Sequence, residues 1–188
     1  MDDVAVIDHT RRWIRFIVID LNLCPFAERV FQGEKIRYVV SRAADETALA
    51  ADLTRELGTL AAAPLSRVVT TLLIHPHVLG DFLNYNDFLD TAEALVDELN
   101  LTGVIQIASF HPDYQFADTD PEAVENYTNR SPYPMLHLLR EESVSEVAGD
   151  AEELVAIPRR NIETLRALGK EKILEKLRAL REDPEQPT

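Results

Sequence analysis

Cysteine is nearly absent: the 188 residues contain one, Cys24. An internal disulfide is excluded, and a reducing compartment is the expected setting. Long apolar runs are also missing. None reaches the roughly 18 residues that a membrane-spanning helix needs. Basic residues are scarce, 19 against 33 acidic ones, for a formal net charge of −14. Nucleic-acid binding rests on neutralising phosphates with Lys and Arg, and adhesion to anionic lipid needs the same positive charge. The balance opposes both and favours solubility. The first residues, MDDVAV, are acidic where a signal peptide is basic. A cytoplasmic protein is expected. Low-complexity tracts are absent, as are a glycine-rich phosphate loop, an HExxH zinc signature and a CxxC pair.

What is present suffices for one core. With 46% hydrophobic residues, folding of such a chain hides roughly 70% of the unfolded surface. A single domain over 1–182 is expected, with 183–188 as a disordered tail. Residues 1–9 read as a lead-in. Thr10 opens a helix to about Leu21 that is apolar nearly all round. Pro25 breaks it within NLCPFA and suits the first turn of a short helix that Gly33 ends. Strands are predicted over 35–41, 67–74 and 103–110. Helices are predicted over 45–60, with Leu49, Leu53, Leu57 and Leu60 on one face, and over 86–99. Ser131-Pro132 opens a further helix to about Val147. Pro158 opens the last helical region, which Gly169 splits. Strands alternating with helices argue for an α/β fold: a small, mainly parallel three-stranded sheet with helices on both faces. An antiparallel α+β arrangement remains open at this stage.

Chemistry-bearing residues concentrate at two strand ends and in one loop. TLLIHPHV and QIASFHPDY each end an apolar run in His-Pro. Proline stops the strand and fixes the direction of the preceding imidazole. Parallel strands would bring both ends to the carboxyl edge of the sheet, where open α/β sheets bind ligands. His75, His77, His111 and Asp113 would then be neighbours. They suit a divalent metal such as zinc, iron or manganese. They equally suit metal-free acid–base work, or the plain task of capping strand ends through hydrogen bonds.

The segment NYTNRSPYPMLHLLRE is rich in hydrogen-bonding groups. Arg130 offers a planar fork for carboxylate or phosphate. In the predicted helix, Tyr133, His137 and Arg140 fall at i, i+4 and i+7 and form one polar stripe. The bland alternative is a solvated face with ordinary pairing. Cys24, beside Pro25 at a predicted helix start, has a setting that lowers a thiol pKa. It is otherwise a small buried hydrophobe, the commonest role.

NLCPFA, SFHPDYQF and NYTNRSPYPMLHLLRE together resemble the motifs of an uncharacterised bacterial family, one of the domains of unknown function. The resemblance covers about Thr10 to Leu168 and implies a similar architecture. It brings no activity, substrate or cofactor. The stretch after Gly169 reads as an individual extension.

The expectation is a hydrolase or other small-molecule enzyme that takes a small anionic molecule at the carboxyl edge of the sheet. His111 and His137 would be its acid–base groups or metal ligands. Arg130 and Arg140 would hold the anion, and Tyr127, Asn129 and Tyr133 would orient it. Two alternatives stand beside it: thiol chemistry at Cys24, and a non-catalytic module that binds a ligand or protein partner.

Overall fold

The computed structural model describes residues 2–143 and 151–180, with side chains omitted at 151–155. Four strands form one sheet in the order β1-β2-β4-β3. They are β1 (Ile36–Val40), β2 (Thr70–Ile74), β3 (Ile105–Phe110) and β4 (Met135–Arg140). β1 and β2 are parallel, while β4 runs antiparallel to both β2 and β3. The architecture is α/β in the broad sense. The expected three-stranded, mainly parallel sheet is corrected to a four-stranded mixed one.

β4 is where the sequence reading fails, because the helix expected from Ser131 is a strand. Met, Leu and Arg are good helix formers, but local propensity is a weak prior against tertiary context. Here β2 and β3 leave a slot between them, and a strand in it satisfies backbone groups on both sides. The backbone carbonyl of Pro134 already accepts from His75 N–H (3.0 Å) before the strand begins. Leu136, Leu138 and Arg140 then point to one face of the sheet, Met135, His137 and Leu139 to the other. The polar stripe at i, i+4 and i+7 therefore does not exist. Residues 144–147 of the expected helix lie outside the described residues, as does the expected tail 183–188.

One face is covered by α3 (Glu46–Ala62) and α4 (Phe82–Glu98). Their apolar stripes bury Leu49, Leu53, Leu57, Leu60, Tyr85, Phe88 and Ala92 against Leu73, Ile105, Leu136 and Leu138. Asp45 caps α3 by accepting from Ala48 N–H (2.8 Å). Asp81 caps α4, accepting from Leu83 N–H and Asn84 N–H, so the helix begins at Phe82 rather than at 86. Arg37 on β1 makes a fork to the buried carboxylate of Glu56 on α3, at 2.8 and 3.3 Å.

The other face is covered by α1 (Asp3–Trp13), α5 (Ala151–Leu168) and α6 (Lys170–Ala179). The first residues are not a lead-in: Asp2 accepts from Val4 N–H and starts α1 there. Thr10 lies inside that helix and donates back to Val6 O. α1 continues as a π-helical stretch, Ile14–Ile19, before the short α2 (Ala27–Gln32) that ends at Gly33. Ile14 and Ile17 are buried while Phe16 stays 40% exposed. Val6, Trp13, Leu23, Leu165, Ile173 and Leu180 pack together against Leu72, Ile74 and Met135. Pro158 lies within α5 rather than at its start, and Gly169, at φ 83°, separates α5 from α6 as expected. α6 is part of this core, not a peripheral extension.

Candidate functional site

β1, β2 and β3 share a direction, so their carboxyl ends lie at one edge of the sheet. His75 and His111 do emerge there, next to each other. Both are fully buried, and both rings lie against Tyr85, at 5.8 and 5.1 Å between centroids. Their hydrogen bonds fix the tautomers. His111 Nδ1 accepts from Asp113 N–H (3.0 Å), so its proton sits on Nε2, which donates to Leu79 O (3.1 Å). His75 carries its proton on Nδ1, which donates to Val78 O (3.0 Å). Burial pushes His75 down to about 4 and His111 below the ordinary imidazole value. Both rings are neutral props for the 78–79 turn. Tyr85 completes the arrangement: its hydroxyl accepts from Phe110 N–H (3.0 Å) and donates to Met135 O (2.9 Å), bridging β3 and β4.

The set proposed for a metal is not assembled. His77 and Asp113 are exposed, while His111 has both ring nitrogens on backbone groups and His75 has its Nδ1 on one, leaving Nε2 buried without a partner. Among the described residues, no group of three or more His, Cys, Asp and Glu is placed to hold a metal ion.

His137 lies on the opposite face from His75 and His111. Its Nε2 is 2.7 Å from Thr70 Oγ1, whose own proton goes to Leu138 O (2.6 Å). The imidazole is therefore the donor. Burial pushes its pKa down to about 4. His111 and His137 cannot act on one substrate from opposite faces of a sheet. Arg140 is also displaced: it is buried and donates to Leu60 O and Ala63 O, closing the carboxyl end of α3. Asn129 holds its own loop, donating to Ser109 O (3.0 Å) and accepting from Thr128 (2.9 Å).

Two of the expected substrate-binding residues, Arg130 and Tyr127, do come together, and a third, Tyr133, adjoins His9 beside them. Arg130 Nε donates to Tyr114 O (3.1 Å) and Arg130 Nη2 to Pro121 O (2.7 Å). Its guanidinium lies 4.5 Å over the Tyr127 ring. Trp13 Nε1 donates to the Arg130 carbonyl (3.1 Å), tying the loop to α1. Tyr133 Oη is 3.2 Å from Nδ1 of His9, with the rings edge to face. His9, Tyr127 and Arg130 border a cleft of about 210 Å³ that Pro112, Ser131, Pro132, Leu177 and Leu180 also line. Pro112 comes from the HPD strand end, so the cleft lies at the carboxyl edge, on the α1 side.

His9 and the α6 leucines were missed by the sequence reading. A signal existed: Val6, Thr10 and Trp13 recur at i, i+4 and i+7 behind a capping Asp2, which makes a helix that carries His9.

A second, wider cleft of about 450 Å³ opens at the same edge, where α3 and α4 begin. Asp45, Glu46 and Asp81 line it. The capping carboxylates there already occupy helix N–H groups that would otherwise receive an anion.

Cys24 does not cap α2, whose N-cap is Phe26. Burial raises the thiol pKa, outweighing the lowering from the N–H groups of Phe26 and Ala27. This setting is the reverse of an activated nucleophile.

Fold and cleft define a three-layer protein of mixed sheet, with a small polar cleft under its carboxyl edge. The chain belongs to the family described as "Protein of unknown function (DUF1415)", whose model matches residues 5–175. That span takes in most of α6. No curated protein and no solved structure matches the chain. Among the described residues, no helix is long and apolar enough to cross a membrane.

Proposed function

We propose that the chain binds a small anionic molecule in the cleft between α1, the 111–134 loop and α6, and acts on it by proton transfer. The observation that carries this reading is the Arg130 guanidinium. Two backbone carbonyls and the Tyr127 ring hold it at the cleft, and donors beyond those two bonds are left for a ligand. A cation held this way loses little entropy when it meets a carboxylate or phosphate. The size of the cleft selects the class. At about 210 Å³ it lies below the range for drug-sized ligands and suits a short carboxylate or inorganic phosphate. His9 lines the cleft and is coupled to Tyr133 through its Nδ1, which gives it the proton partner that general acid–base chemistry requires. Leu177 and Leu180 restrict water.

Melting temperature in the presence of short mono- and dicarboxylates and of inorganic phosphate tests the reading, with neutral amides of the same shape as controls. At a hundredfold excess over Kd, a bound anion stabilises by about 2.7 kcal/mol. The anions are expected to shift the parent, the amides not. Arg130→Met should abolish the shift, and Arg55→Met, at an exposed position on α3 across the sheet, should keep it. Absence of any anion-specific shift at millimolar ligand, or its survival in Arg130→Met, refutes the site.

A further inference from the structure

The two outer strands of the sheet are guarded differently. β1 has Arg37 within it, and Lys35 and Arg42 flank it. Charge of this kind is how sheets discourage pairing with another chain. β3 reads IQIASF, with no charge and no proline. The phase of its hydrogen bonds follows from Glu141 N–H donating to Val104 O (3.0 Å) and from the register with β4. Gln106, Ala108 and Phe110 direct their backbone groups to β4, while Ile105, Ile107 and Ser109 direct theirs outward.

Two of the outward groups are closed within the chain. Ile105 N–H donates to Leu101 O (2.9 Å), and Ser109 O accepts from Asn129 Nδ2 (3.0 Å). Ile105 O, Ile107 N–H, Ile107 O and Ser109 N–H have no partner among the described residues. This set is self-complementary. In an antiparallel pair centred on Ile107, the N–H and O of Ile107 meet the O and N–H of the same residue in a second copy. Ser109 N–H then faces Ile105 O, on both sides. The groups already closed are the pair that such a partner would have set against each other. A foreign strand has no reason to match this spacing, but a copy of the same chain does.

We propose that β3 is a dimerisation edge, joining two copies of this chain into one continuous sheet about a two-fold axis at Ile107. Ile107 packs against the α3/α4 core, so the pairing abuts the two cores on that face. Gln106 lies opposite Ala108 of the second copy on the other. Each copy carries a formal net charge of −14, so association strengthens as salt screens the repulsion.

Sedimentation equilibrium of the full chain is expected to give twice the 21.2 kDa chain mass, more completely at higher salt. Ile107→Pro removes the central N–H, which bonds to nothing in one copy, and should return a folded single chain. If that variant fails to fold, amide hydrogen exchange on the unaltered protein decides. Ile107 and Ser109 amides should be protected in the dimer and lose protection on dilution, while Ile105 stays protected throughout. A single-chain mass at every concentration overturns the proposal. So does a dimer that survives Ile107→Pro, or one whose Ile107 and Ser109 amides exchange as freely as exposed groups.

Discussion

The two faces of the sheet are built in opposite ways. The α3/α4 face takes its helices and three of its strands from one continuous segment, β1 through β3, with β4 inserted later, and its side-chain to side-chain bonds are short in sequence. Arg37 to Glu56 spans 19 positions and Ser41 to Asp52 spans 11. The α1 face is assembled from the two ends of the chain and the loop between β3 and β4. Its bonds span 124 positions for His9 to Tyr133, 117 for Trp13 to Arg130 and 138 for Asn161 to Leu23. The first face is mostly aliphatic, and the imidazole, phenol and guanidinium groups in it are spent on holding the fold. The second carries the π-helical stretch and the cleft, with His9, Tyr127 and Arg130 at its border. One face is a frame, and the other is where long-range packing places chemistry.

Substitutions on each side should separate these roles. Leu57→Ala, in the frame, should cost about 2–5 kcal/mol by urea unfolding, as buried leucine truncations do. It should leave the anion-induced melting shift at the cleft unchanged. Leu165→Ala, on the α1 face, should cost a similar amount and also weaken that shift, because α5 carries the wall formed by α6. Equal effects of both on anion binding would erase the distinction.

Protonation tests both faces at once. His75 and His137 titrate at about 4 in the fold, against about 6.5 in an unfolded chain. Their neutral forms therefore stabilise the fold fully above pH 6.5. That contribution falls as the pH drops from 6.5 towards 4, because the unfolded chain takes up protons first. The expected loss by pH 4 is on the order of 3 kcal/mol for fully buried His75 and less for partly exposed His137. Urea midpoints between pH 7 and pH 4 measure it, and His137→Gln should flatten the curve in part.

Tyr85→Phe removes the bridge between Phe110 N–H and Met135 O. Leaving those buried groups unpaired should cost about 1–3 kcal/mol. Hydrogen exchange at Phe110 should quicken more than at Ile105. Trp13→Phe should cost about 1 kcal/mol through its bond to the Arg130 carbonyl and should loosen anion binding. The smallest effect expected is at Cys24. Its thiol should react slowly with alkylating reagents at neutral pH and quickly only on unfolding, since burial raises its pKa.

Legibility follows the same division. The leucine periodicity of 45–60, the β-branched strands and the glycine at 169 were readable, because contiguous residues decide them. The neighbouring His-Pro ends were readable too, since shared strand direction puts both at one edge. Their burial was not, because it depends on Tyr85 and on the 78–79 turn folding over them. MLHLLR gave the wrong element for a definite reason. Five good helix formers and one histidine lie in a slot whose walls, β2 and β3, are distant in sequence. With that strand went the polar stripe of Tyr133, His137 and Arg140, and Arg140 passed to α3. Arg130, Tyr127 and Tyr133 kept company through the loop and α1 instead, where His9 joined them.

Sequence alone determined the local elements of the frame, the acidic surface, the exclusion of disulfides and the membership of residues 5–175 in an uncharacterised family. Those properties depend on composition, motif or short-range periodicity. Tertiary structure alone decided which polar groups meet. A side chain's partner across more than a hundred positions is set by how layers pack. Burial then determines whether that group is a neutral prop, as with His75, or a cation held at the border of a cleft, as with Arg130.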